Sequence, residues 1–490
     1  MQVLWGLGGM VVLLLIAFAM SDNRRAIRPR TVLGALAIQV VFGWAVLHWE
    51  VGKQALSAVS AGVQKVIDTS KEGIDFLVGP LIPPEGSGTT IFAFQVLPII
   101  VFVASLTAVL YHWNVLQWIV RILGGGLQKL LGTTRAESLN ATANIFVGQT
   151  EAPLVIRPYL AGMSRSEFFA VMVGGLATVA GSVMVGYAML GARLDYLIAA
   201  SFMAAPAGLL MAKIVMPETP EAARTGEKSD EGGKPDDAGK SGDAGKPDDA
   251  GKSGDAGKAG EDGKSGEDGK SEEEGGSDAP EGDAEQPRED GTSREGGASR
   301  EDGRTSDSAP QPDAEALPAK PRNVIDAAAT GATDGLKLAL NVAAMLFAFI
   351  SLIALLNLII GGLGGLVGLP GLSFEQILGY VFSPIMVAIG VPWQEAVAAG
   401  ALVGQKLAIN EFLAFTNFGS VAATLSEKTR VIVTFALTGF ANFSSLAILL
   451  GGLGGLVPQR RDLIAKYGIR AVLAATLANL MSATIAGMLA

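Results

Sequence analysis

The sequence predicts an all-α polytopic membrane protein, with about eight transmembrane helices, two re-entrant helical hairpins in an inverted repeat and one interfacial amphipathic helix. Three observations lead there. Apolar runs of bilayer length fill both ends of the chain, and basic residues mark alternate ends of those runs. Two short polar strings, VGQTEAPL (Val147 to Leu154) and GQKLAINEFLAF (Gly404 to Phe415), interrupt apolar sequence and place Glu151 and Glu411 where a charge is expensive.

Composition fits that class and narrows the chemistry. The 490 residues are 49% hydrophobic yet carry a formal charge of -10, because two unlike materials are joined. Residues 217–322 are rich in Gly, Asp, Glu, Lys and Ser and nearly empty of aromatic and branched aliphatic side chains. With no cysteine there is no disulfide framework and no thiolate metal site. Only His48 and His112 are present, too few for a histidine-based zinc or catalytic centre; each reads as an interfacial residue at a helix end.

The elements follow in order. Residues 3–20 form a first span. Ala17 to Ala19 imitate a signal-peptide cleavage site, but no positive charge precedes the run, and Arg24, Arg25, Arg28 and Arg30 follow it. The reading is a permanent helix with its N-terminus outside. Further spans are expected at 31–49, 91–120, 166–190, 194–215, 335–360, 429–450 and 469–489. Arg121, Lys129, Arg135, Arg165, Lys213, Lys320, Arg322, Arg460, Arg461, Lys466 and Arg470 then fall on one side, the cytoplasmic one, with both termini outside. Residues 53–80 mix Lys53, Lys65, Lys71 and Glu72 with aliphatics at helical spacing, which suits a helix lying in the interface plane.

Residues 138–160 and 390–418 are each broken about midway by Gly, Pro or polar residues and read as re-entrant hairpins, since irregular backbone at membrane depth must line a cavity. Both carry Gly-Gln before a glutamate, and each is followed by two spans, which is the pattern of an inverted repeat with substrate at its interface. The division expected is scaffold helices and interfacial helix at 1–137, first repeat at 138–216, linker at 217–322, scaffold helix and connecting segment at 323–389, and second repeat at 390–490. The linker carries a six-residue repeat with Gly-Lys beginning at 233, 239, 245, 251, 257, 263 and 269, and reads as a disordered cytoplasmic spacer. GGLGGLV, at Gly361 to Val367 and again at Gly451 to Val457, reads as helix termini with close backbone packing.

In the first hairpin Gln149, Thr150 and Glu151 sit at the break, with Pro153 placed to start a half-helix. In the second, Asn410 and Glu411 precede Phe412 and Phe415, and FANFSS puts Asn442, Ser444 and Ser445 on an otherwise apolar span. A serine there is glue between helices. A carboxylate is not, because an acid at a helix centre costs about 2.5–3.5 kcal/mol on insertion scales.

NATANIFVGQTEAPLVIRPYL, GGLATVAGSVMVGY, NEFLAF and GFANFSS together resemble the motifs of the concentrative nucleoside transporters, in the same order, over the stretch from about Ile91 to the C-terminus without the linker. The resemblance implies a homotrimer in the lipid bilayer of the inner (plasma) membrane, an elevator-like movement, and nucleoside symport rather than an enzyme activity. It assigns Gln149, Thr150 and Glu151 to the nucleobase, with Val183 alongside, and Glu411, Asn442 and Ser445 to the ribose hydroxyls, with Phe440 against the sugar. It also implies a sodium site at Asn144, Val147, Thr178 and Val179, with a proton on a buried glutamate as the rival coupling ion and no organic cofactor or nucleic-acid partner. Two other classes stand beside it, an intramembrane hydrolase using a buried glutamate and a membrane anchor presenting the acidic linker to a partner.

Overall fold

The computed structural model describes residues 2–82, 91–219, 321–366, 368–369 and 371–490. The expected linker at 217–322 therefore lies, from 220 to 320, outside the described residues. The described chain is helical and contains no strand, as a multi-pass membrane protein must be if its backbone is to satisfy itself within each segment. Among the described residues six helices are long and apolar enough to cross a bilayer, or seven if a bent pair is taken as one span.

The N-terminal part contains α1 (Gln2–Ala19), α2 (Pro29–Leu47), α3 (Glu50–Val78), α4 (Leu97–His112) and α5 (Val115–Leu131). α3 is the amphipathic helix. Ile67, Ser70 and Ile74 form its buried face, at the spacing of successive helical turns, while Lys53, Lys65, Lys71 and Glu72 stay exposed. The third span, expected to run to residue 120, ends at His112, because Asn114 takes the left-handed conformation (φ 62°) and a separate helix, α5, begins at Val115. Asn tolerates that conformation better than most residues. His48 and His112 both sit at helix ends, at the close of α2 and of α4.

Two stretches of the same element order follow. The first has α6 (Arg135–Ala143), an irregular turn, two four-residue helical turns (Ala152–Val155 and Arg157–Leu160), α7 (Arg165–Ala177), α8 (Gly181–Met189) and α9 (Leu194–Val215). A long helix, α10 (Val324–Leu366), then leads to α11 (Phe374–Ala388). The second has α12 (Trp393–Ala408), α13 (Glu411–Val421), α14 (Glu427–Leu437), α15 (Phe443–Leu456) and α16 (Arg461–Leu489). Each stretch is a hairpin, a helix broken in the middle, and a long buried helix. Glu411 follows Glu151 by the same number of residues as Thr438 follows Thr178, and each threonine closes the helix before its break.

Three expectations are corrected here. The fourth and seventh spans are not continuous helices: one breaks at Thr178–Ala180 and the other between Leu437 and Phe443. Both threonine hydroxyls turn back to the preceding turn, Thr178 to Gly174 O at 2.9 Å and Thr438 to Thr434 O at 2.7 Å, and Gly439 adopts φ +142°, which L side chains rarely reach. The second half of the first hairpin is not one half-helix but two short turns, since Pro153 and Pro158 each deny a backbone donor. The segment before the second hairpin is the helix α11, which meets α12 at a bend of 118°.

Charges gather at one end of the bundle. Arg30 donates to Lys129 O at 2.9 Å, Arg470 to Asp22 at 2.6 Å and Arg460 to Ala161 O at 2.7 Å. Lys213, at the end of α9, is buried against Glu137 and Glu218 and donates to Ser166 Oγ at 2.9 Å. Glu137 and Glu167 each complete a capping box, with Thr134 and Ser164, so α6 and α7 both start at this end.

Candidate functional site

Two asparagines set the geometry at the centre of the bundle. Asn410 begins α13 and its Oδ1 accepts Leu413 N at 2.9 Å; Asn442 begins α15 and its Oδ1 accepts Ser445 N at 2.6 Å. The hydroxyl of Ser444 reinforces the second cap from 2.8 Å. Once the Asn442 oxygen is committed to the helix, its Nδ2 must point away, and it donates to Glu411 Oε2 at 2.6 Å. Tyr187, from α8, donates to Glu411 Oε1 at 2.9 Å.

Glu411 is therefore buried (4% exposed) but not isolated. It is the first residue of α13 and faces the start of α15, so two helix N-termini favour its negative charge. A carboxylate offers about four acceptor positions, and the protein's donors take two of them. The remaining lone pairs suit two further hydroxyl donors. Tyr187 is held by its ring, stacked on Phe415 at 4.4 Å and edge-on to Phe412 at 4.9 Å. Val183 lies one turn earlier on α8 and is buried.

The first hairpin meets the same helices. Gln149 is buried (5% exposed) with its Cβ against Gly175 of α7, and Oε1 has no hydrogen-bond partner. The Thr150 side chain abuts Gly452 of α15. Glu151 Oε2 accepts Gly148 N at 3.1 Å, and its side chain lies exposed, so of the two glutamates read as costly charges only Glu411 is buried. The carboxylate is turned back onto its own loop by that bond, which leaves Gln149 as the buried polar side chain of this tip.

Phe440 and the break of α7 are joined by backbone, Phe440 N to Thr178 O at 3.1 Å. Asn144 is fully buried; its Nδ2 donates to Asn140 O at 2.9 Å while its Oδ1 has no partner. Val147 and Val179 are buried beside it in the two breaks, and no backbone donor reaches either carbonyl among the described residues. An amide oxygen and freed carbonyls suit a hard cation.

Sequence reasoning missed three residues. Tyr187 and Lys406 both stand inside quoted motifs, but nothing in spacing says that Tyr187 reaches Glu411 across the fold. Asn479 of α16 bonds Lys406 and Ala177 O at 2.7 Å each and carries no local signal in its apolar helix.

Comparison with known proteins decides the family. Residues 8–81 match the profile "Na+ dependent nucleoside transporter N-terminus", 93–194 match "Nucleoside recognition", and 285–487 match "Na+ dependent nucleoside transporter C-terminus". The chain is 46% identical over 488 residues to "Uncharacterized transporter YutK" of Bacillus subtilis (strain 168), covering 100% of both chains. It is 40% identical over 494 residues to "Nucleoside permease NupC" of Helicobacter pylori, covering 99% of this chain and 97% of that one. The chain belongs to the concentrative nucleoside transporter family. This family consists of permeases, not enzymes, and the hydrolase alternative is set aside. Among solved structures it resembles CNTnw in an inward-facing substrate-bound state, with TM-score 0.78, 43% identity and coverage of 100% and 98%. A CNTnw variant in an outward-facing state matches at 0.78 with 42% identity, again covering 100% and 98%. The re-entrant hairpins agree with the fold of CNTnw, a concentrative nucleoside transporter.

Proposed function

We propose that this transporter carries nucleosides into the cell by sodium-coupled symport, with one substrate site per protomer where the two hairpins meet α8 and α15. The observation that carries this is the Glu411 carboxylate, held by Tyr187 and Asn442 at two helix starts with two acceptor positions spare. Vicinal ribose hydroxyls would fill those positions, with Ser445 and Phe440 beside the sugar. Gln149, Thr150, Glu151 and Val183 would read the base; Gln149 offers both a donor and an acceptor, as recognition of a heterocycle requires.

Sodium is preferred over a proton because the unpartnered Asn144 oxygen is a ligand looking for a cation, and a proton would not satisfy it. Asn144, Val147, Thr178 and Val179 would hold the ion, which supplies a positive charge between the first hairpin and the break of α7. The profiles this chain matches are themselves described as Na+ dependent.

Resemblance to CNTnw in both inward- and outward-facing states supports alternating access, with hairpins and broken helices moving as an elevator against the N-terminal helices and α10. A homotrimer would use α10, where Phe347, Leu352, Leu355 and Leu358 are exposed in the single protomer and open to a neighbouring protomer or to lipid. By the positive-inside bias the gathered basic residues favour a cytoplasmic position for that end, with both termini outside and the acidic segment on the cytoplasmic side. Radiolabelled nucleoside uptake into proteoliposomes under an imposed sodium or proton gradient tests the whole reading. Uptake is expected to follow the sodium gradient; uptake driven by a proton gradient in sodium-free buffer would overturn the coupling.

A further inference from the structure

The two hairpins differ in one respect that their shared element order does not predict. The first leaves three buried oxygens without a hydrogen-bond partner, Asn140 Oδ1, Asn144 Oδ1 and Gln149 Oε1. The second leaves none among the described residues. Gln405 accepts from Asn417 at 2.6 Å, Asn410 caps α13, and the centre is filled by a lysine, Lys406, which is 1% exposed.

Lys406 projects from the end of α12. Its Nζ donates to Ala436 O at 2.8 Å, the last turn of α14 before its break, and to Asn479 Oδ1 at 2.7 Å. Both distances are those of charge-assisted bonds. Asn479 in turn donates to Ala177 O, the last turn of α7 before the other break, at 2.7 Å. Gly439 lies so close that a Cβ there would stand 2.5 Å from Ala177 O and from Asn479 Oδ1. One ammonium thus ties the second hairpin, both helix breaks and α16 into a single knot, five residues before Glu411 in the chain.

A carbonyl at a helix break in the interior needs a cation or a donor. In the first repeat Asn479 and Phe440 N take Ala177 O and Thr178 O, while Asn144 Oδ1 and the carbonyls of Val147 and Val179 stand free for an ion. We infer that Lys406 is a positioning residue, a cation carried by the chain itself that fills in the second repeat the place the first repeat offers to a bound ion, and that by pinning the second hairpin to the break of α14 it sets Glu411 for the nucleoside. The ion half of this comparison rests on the sodium reading above. The asymmetry has a functional consequence: only one of the two repeats consumes an ion per cycle.

The test uses the full-length protein. K406A is expected to remain folded and to bind uridine or adenosine at least tenfold more weakly. Millimolar methylammonium, small enough to enter the space left by the side chain, should restore at least half of the loss, and choline should not. K406M, which fills the same volume, should lose binding and gain nothing from methylammonium. A K406A protein that binds like wild type, or whose loss no small cation repairs, overturns the inference. Should K406A not fold, sodium titration of wild-type uptake decides: a Hill coefficient of one supports the inference and a value near two overturns it. Sodium-indifferent wild-type uptake would instead overturn the coupling reading, and with it the mirrored-ion comparison.

Discussion

Glu411→Gln isolates the charge of the proposed ribose clamp with almost no change of shape. In the protein as it stands the carboxylate receives Tyr187 OH at 2.9 Å and Asn442 Nδ2 at 2.6 Å. Asn442 cannot turn over, because its oxygen caps α15, so a glutamine must present its own oxygen to Asn442 and its NH2 toward Tyr187 and the sugar. Hydrogen bonds to charged groups contribute about 1.5–3 kcal/mol against about 0.5–1.5 for neutral pairs. Two ribose hydroxyls losing that difference weaken binding by about 2–3 kcal/mol, a factor of about 30–150. Folding should survive, since neutralising a buried acid with no countercharge bonded to it relieves desolvation. Calorimetric binding to purified protein measures the loss, and a 2′,3′-dideoxynucleoside provides the control, because an analogue lacking both hydroxyls should bind the two proteins nearly equally. E411Q within twofold of wild type for the ribonucleoside, or an equal loss for the dideoxy analogue, would refute the clamp.

Tyr187→Phe keeps the stacking on Phe415 but removes one donor to Glu411, and should weaken nucleoside binding by about tenfold with an unchanged thermal midpoint. Asn144→Leu should raise the sodium concentration for half-maximal uptake by more than tenfold while changing the apparent nucleoside affinity little at saturating sodium; ion titration of uptake reads both. Deleting residues 225–315 should leave uptake within about twofold, and loss of uptake with normal membrane insertion would assign that segment a working role. Lys213→Met leaves Glu137 buried without its cation and should cost about 3–5 kcal/mol of stability, largely recovered in the double variant with Glu137→Gln, as thermal unfolding in detergent would report.

How much of this was legible in the sequence depends on how local the cause is. Apolar length decides whether a segment can cross a bilayer, so the spans, the amphipathic α3 and the paired hairpin motifs could be read directly. The breaks in the fourth and seventh spans could not, because neither contains a proline and the Gly439 signal is weak beside its apolar neighbours. What holds those breaks open comes from elsewhere in the chain: Thr178 O receives Phe440 N, and Ala177 O receives Asn479. Asn442 shows the same limit. As a letter inside FANFSS it reads as a polar residue partway along a helix; as the cap of α15 it becomes a fixed donor aimed at Glu411. The carboxylates show it again, since both were legible as costly charges, yet only Glu411 is buried, while Glu151 folds back onto Gly148.

Irregular backbone in a membrane interior exposes carbonyls that water cannot reach, and each must find a donor or an ion. This fold meets that demand at two breaks by different means. In the second repeat the donor is a covalent part of the chain, Lys406 on Ala436 O, so that carbonyl is satisfied whether or not substrate is present. In the first, Asn144 Oδ1 and its neighbours wait for something mobile. A site complete without its ligand cannot report the ligand's arrival, whereas an incomplete one can, because only there does binding change what is satisfied. Under the sodium symport proposed above, the coupling of ion to nucleoside would belong to the first repeat, at the hairpin that also carries Gln149, and the second repeat would supply a constant grip on the sugar against which that change acts.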